Sequence, residues 1–220
     1  MSDNGNTISA ELVKKLRQQT GAGMMDCKAA LAEAKGSMEL AVEVLRKKGL
    51  KDLSKRAGKV AAEGTLGVYT HPGDQVVALV ELNSETDFVA RGEEFKKLAR
   101  DIAMHAAAMR PKYLTVEDVP QHVIEKEKEI ITEQLSDTQR AKADKIIPGK
   151  LEAFYQDNVL MKQIFVKDES GKKTIQDIVN ELSAKVGEKV IVRRFQRYEV
   201  GEGVEKEQSN LAEEVASMIA

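Results

Sequence analysis

The sequence predicts an α+β protein, and three observations predict it. Apolar residues recur at helical spacing from Ile8 to Leu45. The period switches to that of strands between Gly64 and Leu82, around His71-Pro72-Gly73-Asp74. Helical spacing then returns, interrupted by one late strand-like run from Lys189 to Glu199.

The first fifty residues read as three short helices. Ile8, Leu12, Val13 and Leu16 form the first stripe behind Ser9 as N-cap, and Thr20-Gly21-Ala22-Gly23 stops it. The second runs from Met24 to Ala34, with Met25, Ala29 and either Ala32 or Leu31 expected on its inner side. Ser37 caps the third, whose stripe is Leu40, Ala41, Val44 and Leu45 and whose end is expected at Gly49. Residues 1–50 would thus be one small module, too short to be stable without packing on something else. Residues 51–63, basic and rich in small side chains, read as a linker.

A core is expected over 64–200. Gly64–Thr70 alternates through Leu66 and Val68, Pro72 and Gly73 suit the central positions of a type II turn, and Val76–Leu82 is nearly continuous apolar. That second strand is expected to be buried on both faces. After the polar Asn83–Asp87, a long helix keeps Phe95, Leu98, Ala99, Ile102, Ala103 and Ala106 on one face until Arg110-Pro111. A helical hairpin occupies about 115–158: Thr115 with Asp118 opens it, Ser136-Asp137 bends it, and the return arm carries Pro148 as a kink. Thr174 caps a helix through Ile175, Ile178, Val179 and Leu182, closed by Gly187. Residues 201–220 form a C-terminal module whose helix carries Leu211, Val215 and Met218.

Composition narrows the function. The chain has 220 residues, enough to bury about 70% of its unfolded surface. With 34 basic and 36 acidic side chains, bulk charge gives no pull toward a polyanion. Charge is uneven, with 12 basic and 7 acidic residues in positions 1–60 and an excess of acid after that, which fits different surfaces for different contacts. A single cysteine, Cys27, makes no internal disulfide and no zinc cluster. No run of 18 apolar residues occurs and the N-terminus lacks a signal-peptide pattern, so the expectation is a cytoplasmic protein that does not span a membrane.

Chemistry-bearing motifs are few. Gly21-Ala22-Gly23-Met24-Met25-Asp26 superficially resembles a dinucleotide fingerprint, but it follows a helix where a strand is required and Asp26 replaces the third glycine. Gly171-Lys172-Lys173-Thr174 resembles the end of a P-loop, with Val166 where its first glycine should be. His71, His105 and His122 match no metal spacing, and Cys27 reads as an inert core thiol. No nucleophile–base pair is present, so an enzyme is not expected, nor a cofactor or metal. Arg193, Arg194, Phe195, Arg197 and Tyr198 make a basic strand with interleaved aromatics, a pattern that could bind RNA. Alternation splits them between faces, and salt-bridged structural arginines are the better reading, so direct nucleic-acid binding is not expected. Thr86-Asp87-Phe88-Val89-Ala90-Arg91 allows two readings. In one, Asp87 caps the next helix and Phe88 staples its first turn; in the other, Phe88 is a protruding apolar wedge with a carboxylate beside it. The residue pattern slightly favours the first.

Several runs together resemble the bacterial translation elongation factor Ts family, the guanine-nucleotide exchange factors of elongation factor Tu. They are Leu16-Arg17 with Thr20 to Lys28, Val80 to Arg91, Met104-His105-Ala106-Ala107, Gly149-Lys150-Leu151, and Arg193 to Gly203. The resemblance implies a ubiquitin-associated-like (UBA-like) three-helix N-terminal module, an antiparallel sheet with packed helices, a helical hairpin and a C-terminal module. It implies that Thr86, Asp87, Phe88 and Val89 dislodge Mg²⁺ from the GTPase. It gives weaker partner-contact roles to Arg17, Gly21, Ala22, Gly23, Met24, Met25, Asp26, His105, Leu211 and Val215. The chain is similar to the short form of the family, with one core lobe where long members have two, so a homodimer in a two-plus-two complex would supply the second. Gly92 stands where the family commonly has Asn.

Overall fold

A computed structural model describes residues 8–20, 22–56 and 58–204. The N-terminal helices are α1 (Ala10–Thr20), α2 (Met24–Glu33) and α3 (Met38–Lys55). Ser9 caps α1, its Oγ accepting the Leu12 N–H at 3.2 Å, and Ser37 Oγ accepts the Leu40 N–H at 3.3 Å to open α3. Val13, Leu16, Cys27, Ala30, Leu31, Ala34 and Ala41 form their shared core.

Two expectations are corrected here. The inner face of α2 is Cys27, Ala30 and Leu31, while Met25 is 75% exposed and Ala29 and Ala32 face water. Both stripes obey helical spacing. The one that buries Leu31 also seats the Cys27 thiol against the Ala22 carbonyl (3.7 Å), so packing chooses it. Nor does α3 end at Gly49; it runs through to Lys55. Gly49 is there because α3 crosses α9 (Ile175–Val186) closely, and a Cβ at this position would stand 3.3 Å from the Ala184 Cβ. Arg46 on α3 also pairs with Asp177 on α9 at 2.8 Å.

The core is a three-stranded antiparallel sheet in the order β1 (Glu63–Thr70), β2 (Val76–Ser84), β3 (Ile191–Glu199). In the β1–β2 turn the Asp74 N–H donates to the His71 carbonyl at 3.0 Å and Gly73 takes φ +94°, the conformation a type II turn requires after Pro72. Val68 pairs with Leu79, and Leu79 with Gln196; a bulge on β3 separates Arg194, opposite Glu81, from Val192, opposite Leu82. Strand β2 is central but not buried on both faces as expected. Ala78, Val80 and Leu82 are fully buried, whereas Val77, Leu79 and Glu81 on the other face are half-buried, because among the described residues helices cover only one side.

On the covered side lie the short α4 (Asp87–Ala90) and the long α5 (Glu93–Met109), which buries Phe95, Ala99, Ile102, Ala103 and Ala106. Strand β1 approaches α5 so closely that a Cβ on Gly67 would lie 2.2 Å from the Ala99 carbonyl oxygen. A 3₁₀ turn at Val116–Asp118, with Thr115 and Asp118 in a capping box, leads into α6 (Gln121–Glu133). The bend at Ser136 contains α7 (Asp137–Arg140), and the return arm is α8 (Ala143–Asn158) with Pro148 inside it. The hairpin is lightly packed: α6 buries Ile131, and α8 buries no residue. Helix α9 has the expected Thr174 capping box and Gly187 terminus, and with α5 closes the main core. Among the described residues no helix is long and apolar enough to cross a membrane. The C-terminal helix expected around Leu211, Val215 and Met218 lies outside the described residues, as does Gly21.

Candidate partner-docking site

The chain leaves the sheet at the buried Ser84 and turns through Glu85 and Thr86 into α4. Thr86 is the N-cap. Its backbone is extended and its Oγ1 accepts the Val89 N–H at 3.4 Å, while its carbonyl accepts the Ser84 hydroxyl at 2.9 Å. The loop between α9 and β3 meets it. The Glu188 carboxylate accepts both the Thr86 N–H (3.0 Å) and the Thr86 hydroxyl (2.7 Å). Glu85 reciprocates by accepting the Lys189 N–H at 2.7 Å, and Arg56 Nη1, just past the end of α3, reaches both Glu85 oxygens at 2.9 and 3.2 Å. The Lys189 amide first, and Arg56 after it, hold the Glu85 carboxyl below the usual range.

Within α4 the Ala90 side chain turns into the core and Val89 packs against it. Phe88 does the opposite. Its side chain is 84% exposed, more than any other large apolar residue among those described. Asp87 lies beside it, paired with Arg91 at 2.8 Å on the surface. The reading in which Asp87 caps and Phe88 staples is therefore overturned: the cap is Thr86, and the ring stands in water.

The N-terminal turn presents a second apolar feature. Met24 and Met25 are 51% and 75% exposed at the start of α2, Gly23 is its N-cap, Ala22 is half-buried and Arg17 is exposed. Asp26 pairs with Lys48 on α3. Lys48 stands seven residues, roughly 10 Å of helix, before α3 ends beside Arg56 and Glu85. The methionine turn and the α4 turn are thus each joined to α3, one at Lys48 and the other just past its C-terminal end.

His105 has no exposed surface, so the partner-contact role expected for it is corrected. Its Nε2 bonds the Gln163 Oε1 at 3.0 Å and its Nδ1 accepts the Val166 N–H at 3.2 Å, which makes it a neutral core ring. The arginine strand is structural. Arg193 and Arg194 both pair with Glu81 (2.8 and 2.6 Å), and Arg197 donates to the Ala107 carbonyl and to Glu199. At Gly171-Lys172-Lys173, the two lysine N–H groups already serve the Asp168 carboxylate at 2.8 and 2.9 Å, so this turn holds its own anion and no phosphate. Cys27 is buried. Among the described residues no group of three or more His, Cys, Asp or Glu could hold a metal ion. Sequence reasoning missed Glu188 and Arg56, because nothing local in a lone Glu or Arg signals a bond to a loop 102 or 29 positions away.

The family described as Elongation factor TS matches residues 6–202. The chain belongs to the elongation factor Ts family. It is 52% identical over 214 residues to Elongation factor Ts of Desulforamulus reducens, covering 96% of this chain and 98% of the relative. Against Elongation factor Ts of Moorella thermoacetica it is 55% identical over 199 residues, covering 90% and 97%. Against that of Caldanaerobacter subterraneus subsp. tengcongensis it is 51% identical over 201 residues, covering 90% and 100%. As a member of that family, the chain is a guanine-nucleotide exchange factor for elongation factor Tu in translation elongation.

Proposed function

We propose that this chain releases GDP from elongation factor Tu by displacing the GTPase's own Mg²⁺, with Phe88 as the wedge and no covalent chemistry of its own. The observation that carries the reading is the Phe88 ring held in water on a capped turn, with Asp87 next to it. A ring in that position loses solvent only when a partner supplies a pocket, and burying it then contributes about 2 kcal/mol.

The work is linkage. A factor that binds the nucleotide-free GTPase better than its GDP·Mg²⁺ form must weaken GDP binding by the same ratio. Mg²⁺ bridges phosphate oxygens to its protein and offsets their mutual repulsion. With the ion's polar shell disturbed by Asp87 and the adjoining elements parted by Phe88, the diphosphate is held by less charge and leaves. GTP then fills the vacant site. Thr86 and Val89 frame the ring. The exposed Met24 and Met25 and the neighbouring Arg17, Gly21, Ala22, Gly23 and Asp26 give a second, anchoring contact, and Leu211 and Val215 a third. On this reading the protein is not an enzyme and works in the cytoplasm, where translation takes place. The partnered arginines of β3 speak against an RNA-binding alternative.

A second copy of the chain completes the assembly. The outer face of the sheet carries Leu66 (63% exposed), Val68 and Tyr198 beside the half-buried Val77 and Leu79, and no described element covers it. Sheet-to-sheet packing of two such faces would give the second lobe of a two-plus-two complex.

The test of the wedge is release of labelled GDP from elongation factor Tu. An aromatic anchor carries about 2 kcal/mol or more at an interface, so Phe88→Ala should lower stimulated release at least tenfold. Release at the wild-type rate overturns the reading.

A further inference from the structure

We infer that Glu188 is a positioning residue for exchange, a clamp that fixes the Phe88 turn in its working geometry; this rests on the wedge reading above. The argument starts from how little else holds α4. It is a four-residue turn, and one turn of helix is unfavourable by itself, since several dihedrals are fixed for a single backbone bond. Its largest apolar side chain is in water, so packing contributes only through Ala90 and part of Val89. The Asp87–Arg91 pair is on the surface, with side chains 56% and 79% exposed, and such pairs add little.

Thr86 is where order can be imposed, and Glu188 takes both of its donors. One carboxylate oxygen accepts the backbone N–H and the other the hydroxyl. A hydroxyl has one proton. By claiming it, Glu188 fixes the rotor so that the oxygen's lone pairs face the Val89 N–H, and the cap bond to α4 follows. The clamp is itself anchored. The Glu188 carbonyl accepts the Ser183 hydroxyl of α9, that same Ser183 oxygen accepts the Val190 N–H at 3.2 Å, and Ser183 is buried. Glu85 answers from the other loop by holding the Lys189 N–H. Two loops that are remote in sequence are thereby latched by reciprocal carboxylate–amide bonds, and the exposed ring projects from the latch.

The experiment compares wild type, Phe88→Ala and Glu188→Ala in stimulated GDP release over a range of factor concentrations, with hydrogen exchange of the 84–90 amides read alongside. Loss of two charge-assisted bonds should lower the maximal rate of Glu188→Ala about tenfold, with the half-saturating concentration within about twofold of wild type. The Thr86 and Val89 amides should exchange faster, and those of α5 should not. If Phe88→Ala loses exchange while Glu188→Ala keeps the wild-type maximal rate, the clamp is overturned and the wedge stands. A rise in half-saturating concentration at an unchanged maximal rate makes Glu188 a contact residue and also overturns the clamp. If Phe88→Ala exchanges like wild type, the wedge itself fails and the clamp has nothing to position.

Discussion

Burial strips water from His105, which lowers its pKa, and the hydrogen bond to Gln163 only partly opposes this. Protonation would also set a donor against the Val166 N–H, which now donates to Nδ1. The folded-state pKa is depressed, so the neutral ring contributes stability that is present above the unfolded value near 6.5 and is lost as pH falls below it. Stability to denaturant should therefore begin to fall just below about pH 6.5, ahead of the carboxylates, whose ordinary range is near 4. His105→Asn keeps one acceptor and one donor but does not titrate. It should cost on the order of 1–3 kcal/mol at pH 7.5 and show a flat profile from there to about pH 5; an unchanged acid limb in the variant would rule this out. The place of His105 three residues after Ile102 suits a packed ring or an interface one equally, and only its burial decides for the first. The donor pairing at Thr86 was not, because hydroxyl and carboxylate partners are chosen by tertiary approach and leave no local spacing.

Glycines separate what the elements need from what they merely tolerate. At Gly67 the obstacle to a Cβ is backbone, the Ala99 carbonyl and the Arg100 nitrogen, which cannot swing away. Gly67→Ala should force β1 off α5, at a cost of about 3 kcal/mol or more and a fall of roughly 10 °C in Tm. Gly149, inside α8, has nothing within 4 Å of an added Cβ. The same substitution there should stabilise by up to about 1 kcal/mol through helix propensity. Thermal melts of the two variants check both signs, and a Gly67→Ala protein that melts like wild type would mean the strand–helix contact is looser than described. Gly49 shows why element ends are hard to read: a glycine after an apolar stripe looks like a stop, and only the approach of Ala184 makes it an interior residue. The turn and the caps at Ser9, Ser37, Thr115 and Thr174 were legible because each rests on bonds within three or four positions, and the strands because their apolar residues follow strand spacing.

For the whole molecule, the α+β class and the order of elements followed from periodicity, since the chain alternates cleanly between helical and strand spacing. Which face of the sheet is open did not follow, because a central strand of Val, Ala and Leu reads the same whether one or two layers cover it. The open face gives a prediction. Sedimentation of the purified protein should yield the mass of two chains, and Leu66→Lys with Val68→Lys should yield one; a wild-type chain that stays single at all concentrations rejects the two-copy assembly. The α3 helix has a consequence of its own. The Asp26–Lys48 pair and the Arg56–Glu85 pair join the methionine turn and the Phe88 turn to it at points roughly 10 Å apart along its axis. If the methionines and Phe88 both dock, as proposed, a GTPase whose two receiving patches are spaced differently seats one of them but not both, and discrimination among related GTPases then comes down to length as much as to surface chemistry.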